Sequence, residues 1–239
     1  MKRNNTKKKK IEWKSLVGLI LLITLLLSMV YAIFRIIVSP SVTGQEHVKL
    51  KSDYVLMLIQ CILGLVVMMI PSIIERRWSI DIPNYMEVIY FLFLYCAIYL
   101  GEVRNFYYLI PYWDTILHAF SGAMLGALGF TVVSMFNEAE SMKIQLSPVF
   151  VSLFAFCFAL AAGAVWEIYE FTFDGLLSLN MQKFAFENGV QLVGREALRD
   201  TMKDLIVDAV SALVIVIIGF FTIKKEGLKN WPQAESEKS

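Results

Sequence analysis

Polar residues along this chain are few and clumped, and the apolar stretches between them are too long for the core of a soluble domain. The first runs from Leu16 to Val38, broken only by Arg35. Tyr54 to Ile74 follows without a charge and with Pro71 near its end. Residues 82–101 form a third stretch, interrupted by Glu87; Thr115–Phe136, Pro148–Phe171 and Leu205–Ile223 complete the set, the last with Asp208 inside it. A helix needs about 20 apolar residues to cross a bilayer. The first stretch exceeds the roughly 7–15 residues of a signal-peptide core, and no A-x-A-like cleavage pattern closes it. The pattern predicts an all-α, polytopic transmembrane helix bundle with six spans at about 16–38, 54–74, 82–101, 115–136, 148–171 and 205–223.

Composition narrows this further. Of 239 residues 57% are apolar and only 18% charged. Disorder, collagen-like repeats, disulfide-rich secreted scaffolds and ordinary soluble domains are excluded. The net charge of +1 hides an asymmetry: residues 1–14 carry seven cations and one anion, leaving 15 cations and 20 anions elsewhere. An apolar stretch follows this basic head at once, so it reads as a cytoplasmic anchor touching anionic lipid, not as a nucleic-acid arm. Six spans then put both termini in the cytoplasm. Arg76 and Arg77 after span two, and Lys224, Lys225 and Lys229 after span six, agree with that orientation. The domain reading is a basic head (1–14), a six-span membrane domain (15–223) and a cytoplasmic tail (224–239). Cys61, Cys96 and Cys157 have neither CxxC nor zinc spacing and read as buried small hydrophobes.

Three polar clusters interrupt the apolar pattern. They are Trp113-Asp114-x3-His118, Trp166-Glu167-x2-Glu170, and Glu196-x3-Asp200-x3-Asp204-x3-Asp208. Spans four and six run inward and span five outward, so all three clusters fall at the same, outer, end. Residues four apart share a helix face. Asp114 and His118 therefore share a face that Gly122 and Gly126 continue, and Ala155, Ala159 and Gly163 lead to Glu167. Small residues allow close helix approach, which turns these faces into the bundle. Glu196 can pair with Arg199 and Asp200 with Lys203, whereas Asp204 and Asp208 have no local cation. A carboxylate near mid-membrane costs roughly 2.5–3.5 kcal/mol. A metal ion, a proton, a water-filled cavity, or an arginine such as Arg104 or Arg35 would offset it.

Oxygen donors with one imidazole suit Mg, Mn, Fe or Zn as the divalent ion. The candidate ligands are Asp114, His118, Glu167, Glu170 and Asp204, with Asp208 in reserve; Asp114 could instead orient His118. His47 beside Glu46 reads as solvated, Glu87 as interfacial, and Asp174, on the same face as Glu167, as lying in water.

The combination Asp114-x3-His118-x3-Gly122, Trp166-Glu167-x2-Glu170 and Asp200-Thr201-x2-Asp204 resembles the YjdF-like bacterial inner-membrane family. It is distantly similar to VanZ-like membrane proteins, which also open a span with an Asp and a His. The resemblance covers about residues 80–220. It implies a multi-span protein of the bacterial cytoplasmic membrane and names no biochemical role. The family's last motif runs into a Gly-Ala pair, whereas this chain reads Asp208-Ala-Val-Ser211-Ala212.

Three functions fit these residues. In the first, a metal held by Asp114, His118, Glu170 and Asp204 activates water, with Glu167 or Asp208 as catalytic base, against a lipid or lipid-linked substrate. No HExxH, GxSxG or complete Asp-rich alcohol-phosphotransferase motif accompanies it. In the second, the acids serve a cation- or proton-coupled transporter; with no internal repeat, six spans would then call for a homo-oligomer. In the third, the cluster only fixes helix packing in a structural or accessory protein.

Overall fold

Inside hydrocarbon a backbone must satisfy its own N–H and C=O groups, and a helix does so within one segment. The computed structural model describes residues 13–39, 49–78, 82–138, 146–186 and 190–226, and these are helical apart from short connections and one isolated antiparallel bridge, Ala185–Gln191. Six helical stretches among them are long and apolar enough to cross a membrane: Trp13–Val38, Lys51–Arg77, Asn84–Val103, Trp113–Ser134, Pro148–Leu177 and Gly194–Lys225. The lysines at positions 2–10, His47 with Glu46, Lys143 and the tail from 227 lie outside the described residues.

The chain divides into two compact units, one holding the described residues up to Pro111 and the other those from Tyr112 onward. The first contains α1 (Trp13–Val38), α2 (Lys51–Val67), α3 (Ile70–Trp78), α4 (Asn84–Leu94), a π-helical stretch (Tyr95–Val103) and α5 (Phe106–Leu109). Leu21, Leu25, Ser28 and Ala32 form the buried stripe of α1, and Tyr54, Met57, Cys61 and Gly64 that of α2. Both follow the i, i+3/i+4, i+7 spacing of one helix face. Phe91, Leu94 and Ile98 close this core.

Second-span helicity breaks between α2 and α3 for a reason legible in the sequence. Pro71 has no N–H to give the carbonyl of Val67, four residues back. That carbonyl accepts instead from the Tyr90 hydroxyl of α4 at 2.8 Å. Glu87 is not interfacial: it is buried on α4 and ion-paired with Lys14, which also lies 3.8 Å from Glu75. The Arg35 guanidinium lies 4.8 Å from the Tyr54 ring centre, a cation–π contact, and its Nε donates to Ser39. Of the three cysteines, only Cys61 is buried; Cys96 is half-buried and Cys157 exposed.

The second unit contains α6 (Trp113–Glu138), α7 (Pro148–Leu177), a 3₁₀ turn (Gly194–Leu198) and α8 (Arg199–Glu226). The α7 start follows from Ser147-Pro148: the serine hydroxyl accepts from the Phe150 N–H at 3.2 Å, and proline occupies the first turn. Ser178, in the left-handed conformation at φ 54°, ends it. Phe130, Val133, Val151, Ala155, Val216 and Ile223 form a core shared by all three helices.

Candidate metal centre

The polar clusters of the second unit meet because small residues let α6, α7 and α8 approach. A methyl group on Gly122 of α6 would run into the Ser211 hydroxyl and lie 2.7 Å from the Asp208 carbonyl oxygen. One on Gly163 of α7 would lie 2.5 Å from Asp208 Oδ2. Glycine at these two positions is what brings the carboxylate of α8 against α6 and α7.

His118 is the hub of the cluster. Its Nδ1 lies 3.3 Å from each oxygen of Asp208, one α8 turn below Asp204. Its Nε2 faces the other way, 3.9 Å from Asp114 Oδ1 and 4.0 Å from Asp204 Oδ2. The Ser121 hydroxyl is held by the His118 carbonyl at 3.0 Å and lies 3.5 Å from Asp208 Oδ1. His118, Asp204 and Asp208 are buried, and Asp114 lies partly open at the rim.

Asp114, His118 and Asp204 can each offer one donor atom with all three atoms within 4.8 Å of one another. A first-row ion holds such donors at about 2.0–2.2 Å, which sets neighbouring donors roughly 3–4 Å apart. The 3.9 and 4.0 Å separations fit with slight contraction. The donor set, two carboxylates and an imidazole, suits Zn, Mn or Fe. A histidine that ligates through one nitrogen and gives the other to a carboxylate is the usual arrangement around such ions. Asp208 occupies that carboxylate's place, the position the spacing had left open to Asp114.

Glu167 is 95% buried, with a relative exposure of 5%, and neither carboxylate oxygen has a hydrogen-bond partner. Its polar neighbours are Gln182 and Thr201, outside hydrogen-bonding geometry and bonded to each other at 2.8 Å. Glu170 stands apart from the three-donor group: its Oε1 accepts from Trp166 Nε1 at 3.0 Å, one turn back on α7. The Glu196–Arg199 and Asp200–Lys203 pairs form, at 3.2 and 3.9 Å. Asp204 does have a local cation, because Lys203 also reaches its Oδ1 at 3.7 Å. Its backbone neighbour, not the residue one turn away, supplies the charge, and helix-face spacing does not anticipate that contact. Asp204 Oδ1 still lacks a hydrogen bond.

Asp174 is buried, not solvated. Its two oxygens accept from the N–H groups of Met181 at 2.7 Å and Gln182 at 3.0 Å. It thereby folds the connection after α7 back toward Thr201 at the head of α8. The seven-residue spacing from Glu167 to Asp174 placed the two on one face, while the Gln182–Thr201 bond, across 19 residues, has no local signature.

A family described as "Predicted membrane protein (DUF2238)" matches residues 18–225, nearly the whole helical region. The chain belongs to this family. An uncharacterised protein of Thermotoga maritima is 28% identical to it over 159 residues, 65% of this chain and 68% of that one. No solved structure matches the chain. For this DUF2238 chain, Asp114, His118, Asp204 and Glu167 all fall within the matched residues.

Proposed function

We propose that this multi-pass membrane protein holds a divalent metal on Asp114, His118 and Asp204 and is a hydrolase of a lipid or lipid-linked substrate in the bacterial cytoplasmic membrane. The observation that carries the reading is the division of labour at His118: Asp208 engages Nδ1, so Nε2 is presented to the two remaining aspartates. A bound ion would supply Lewis acidity and a water of lowered pKa. Asp208 fixes the ring's tautomer and direction. Asp114, at the half-open rim, marks the side from which a substrate reaches the centre.

Glu167 is the candidate base. It is buried, it lacks a hydrogen-bond partner, and α7 sets it on the face that approaches α8 through Gly163. Glu170, tied to Trp166, sets the indole at the rim. In this reading both termini are cytoplasmic, the metal lies toward the outer face, and the N-terminal lysines touch anionic lipid.

Metal content of the purified protein, measured by mass spectrometry on wild type and His118→Ala, tests the proposal. Stoichiometric metal in wild type and its loss in the variant are expected. Wild type without metal after purification in the absence of chelator, and after incubation with Zn, Mn, Fe or Mg, would overturn it.

A further inference from the structure

The segment between α7 and α8 carries an apolar surface that the helix bundle does not cover. Phe186 is 60% exposed, Val190 56%, Val193 85% and Leu198 62%. Exposed apolar groups of this density in a connection mark a surface that meets something other than water.

Helix lengths say how deep this segment lies. α7 has 30 residues, about 45 Å, against a hydrocarbon layer of about 30 Å. It carries no charge from Pro148 to Trp166, about one hydrocarbon thickness, and then bears Glu167, Glu170 and Asp174, so its excess length falls at the Leu177 end. On α8 the apolar stretch begins only at Leu205, after Arg199, Asp200, Lys203 and Asp204, contains Asp208 as its one charged residue, and closes at Lys224 and Lys225. Both helices therefore project into the headgroup layer at the end bearing the metal-site acids.

The connection cannot leave that depth. Asp174 holds Met181 and Gln182, Gln182 holds Thr201, and the Asn180 side chain brackets Ala185 at 2.7 and 3.0 Å. Two backbone bonds, Phe186 N–H to Val190 and Leu192 N–H to Phe184, close a hairpin. Arg195 and Arg199 are exposed beside the apolar residues, Arg199 at the rim pair with Glu196.

We infer that the α7–α8 connection is an interfacial element that seats Phe186, Val193 and Leu198 in the bilayer surface, with Arg195 and Arg199 among anionic headgroups. Apolar side chains at headgroup depth beside cations match a lipid surface in both chemistry and position. This surface stands independently of the metal reading. It adds that the neighbourhood of Glu167 and Asp204 is roofed by a lipid-seated hairpin.

Nitroxide labels at Phe186→Cys and Val193→Cys, with Glu196→Cys as the charged comparison, test this in the full-length chain lacking its native cysteines. The chain is reconstituted into phosphatidylcholine–phosphatidylglycerol vesicles. Relaxation by oxygen, which concentrates in the bilayer, should exceed that by a water-soluble nickel chelate severalfold at 186 and 193, and the order should reverse at 196. Strong nickel relaxation at 186 and 193 would overturn the inference, because the hairpin then stands in water. Weak relaxation by both agents there would also overturn it, because protein, such as a second copy, then covers the surface. If removing the native cysteines impairs folding, Val193→Trp in the native chain decides instead. Its added fluorescence should be quenched by brominated lipid, and unquenched emission would overturn the inference.

Discussion

Both carboxylate oxygens of Asp208 lie 3.3 Å from Nδ1 of His118, across the α6–α8 contact. That pairing leaves Nε2 as the nitrogen for an ion. Asp208→Asn keeps the side-chain shape and removes the charge behind the ring. Metal affinity should fall about 10–100-fold, as when such supporting carboxylates are changed elsewhere. His118→Ala should remove binding altogether. Competition with a metallochromic chelator reads both, and equal losses in the two variants would refute the division of roles.

Asp204→Asn should lower bound metal more than Asp200→Asn. Lys203 stands between the two acids, 3.7 Å from Asp204 and 3.9 Å from Asp200, so one ammonium shared by two carboxylates leaves negative charge in the cluster. Asp204 is buried and faces His118, whereas Asp200 is only half-buried. The prediction fails if the two variants hold the same metal content as each other.

Gly163→Ala should cost about 1–3 kcal/mol, the range for overpacking a tight contact. The added methyl would sit 2.5 Å from Asp208 Oδ2. Metal occupancy should fall with stability, since the carboxylate that orients His118 is the group displaced. Gly175→Ala, where nothing lies within 4 Å, is the matched control and should be at least as stable as wild type, since alanine favours the helix.

Lys14→Met strands the Glu87 carboxylate, buried with a relative exposure of 1%. Breaking one side of a buried pair costs about 3–5 kcal/mol. Adding Glu87→Gln to Lys14→Met should recover most of the loss. Equilibrium unfolding in mixed detergent checks both, and a Lys14→Met chain as stable as wild type would show that the pair is dispensable.

Reporter fusions after Ser239 and within 179–192 should lie on opposite sides of the membrane. In the proposed topology the basic head is cytoplasmic, and an even number of spans then puts the tail on that side and the α7–α8 connection on the other. Matching readouts at the two positions would break this topology.

The helical, multi-span fold was legible because hydrocarbon imposes one requirement that every residue of a span reports: apolarity over about 20 positions. Span identity came from that alone, whereas the apolar pattern ran through Pro71 as one stretch and the break beside it, which follows from the missing N–H, appeared only in the structure. Face sharing also survived, since Asp114 with His118 and Asp204 with Asp208 follow from 3.6 residues per turn.

Which nitrogen of His118 meets which acid is another matter. Rotation and depth of one helix against the next decide it, and these depend on how closely Gly122 and Gly163 let the backbones approach. The same holds for Glu87, whose partner comes from α1, and for Asp174, buried only because the connection returns over it. Periodicity along the chain assigned each of these residues to a helix face. Contacts between faces come from packing, which no single helix's sequence encodes, and so only the tertiary structure separated the acid beside Nδ1 of His118 from the two acids near its Nε2.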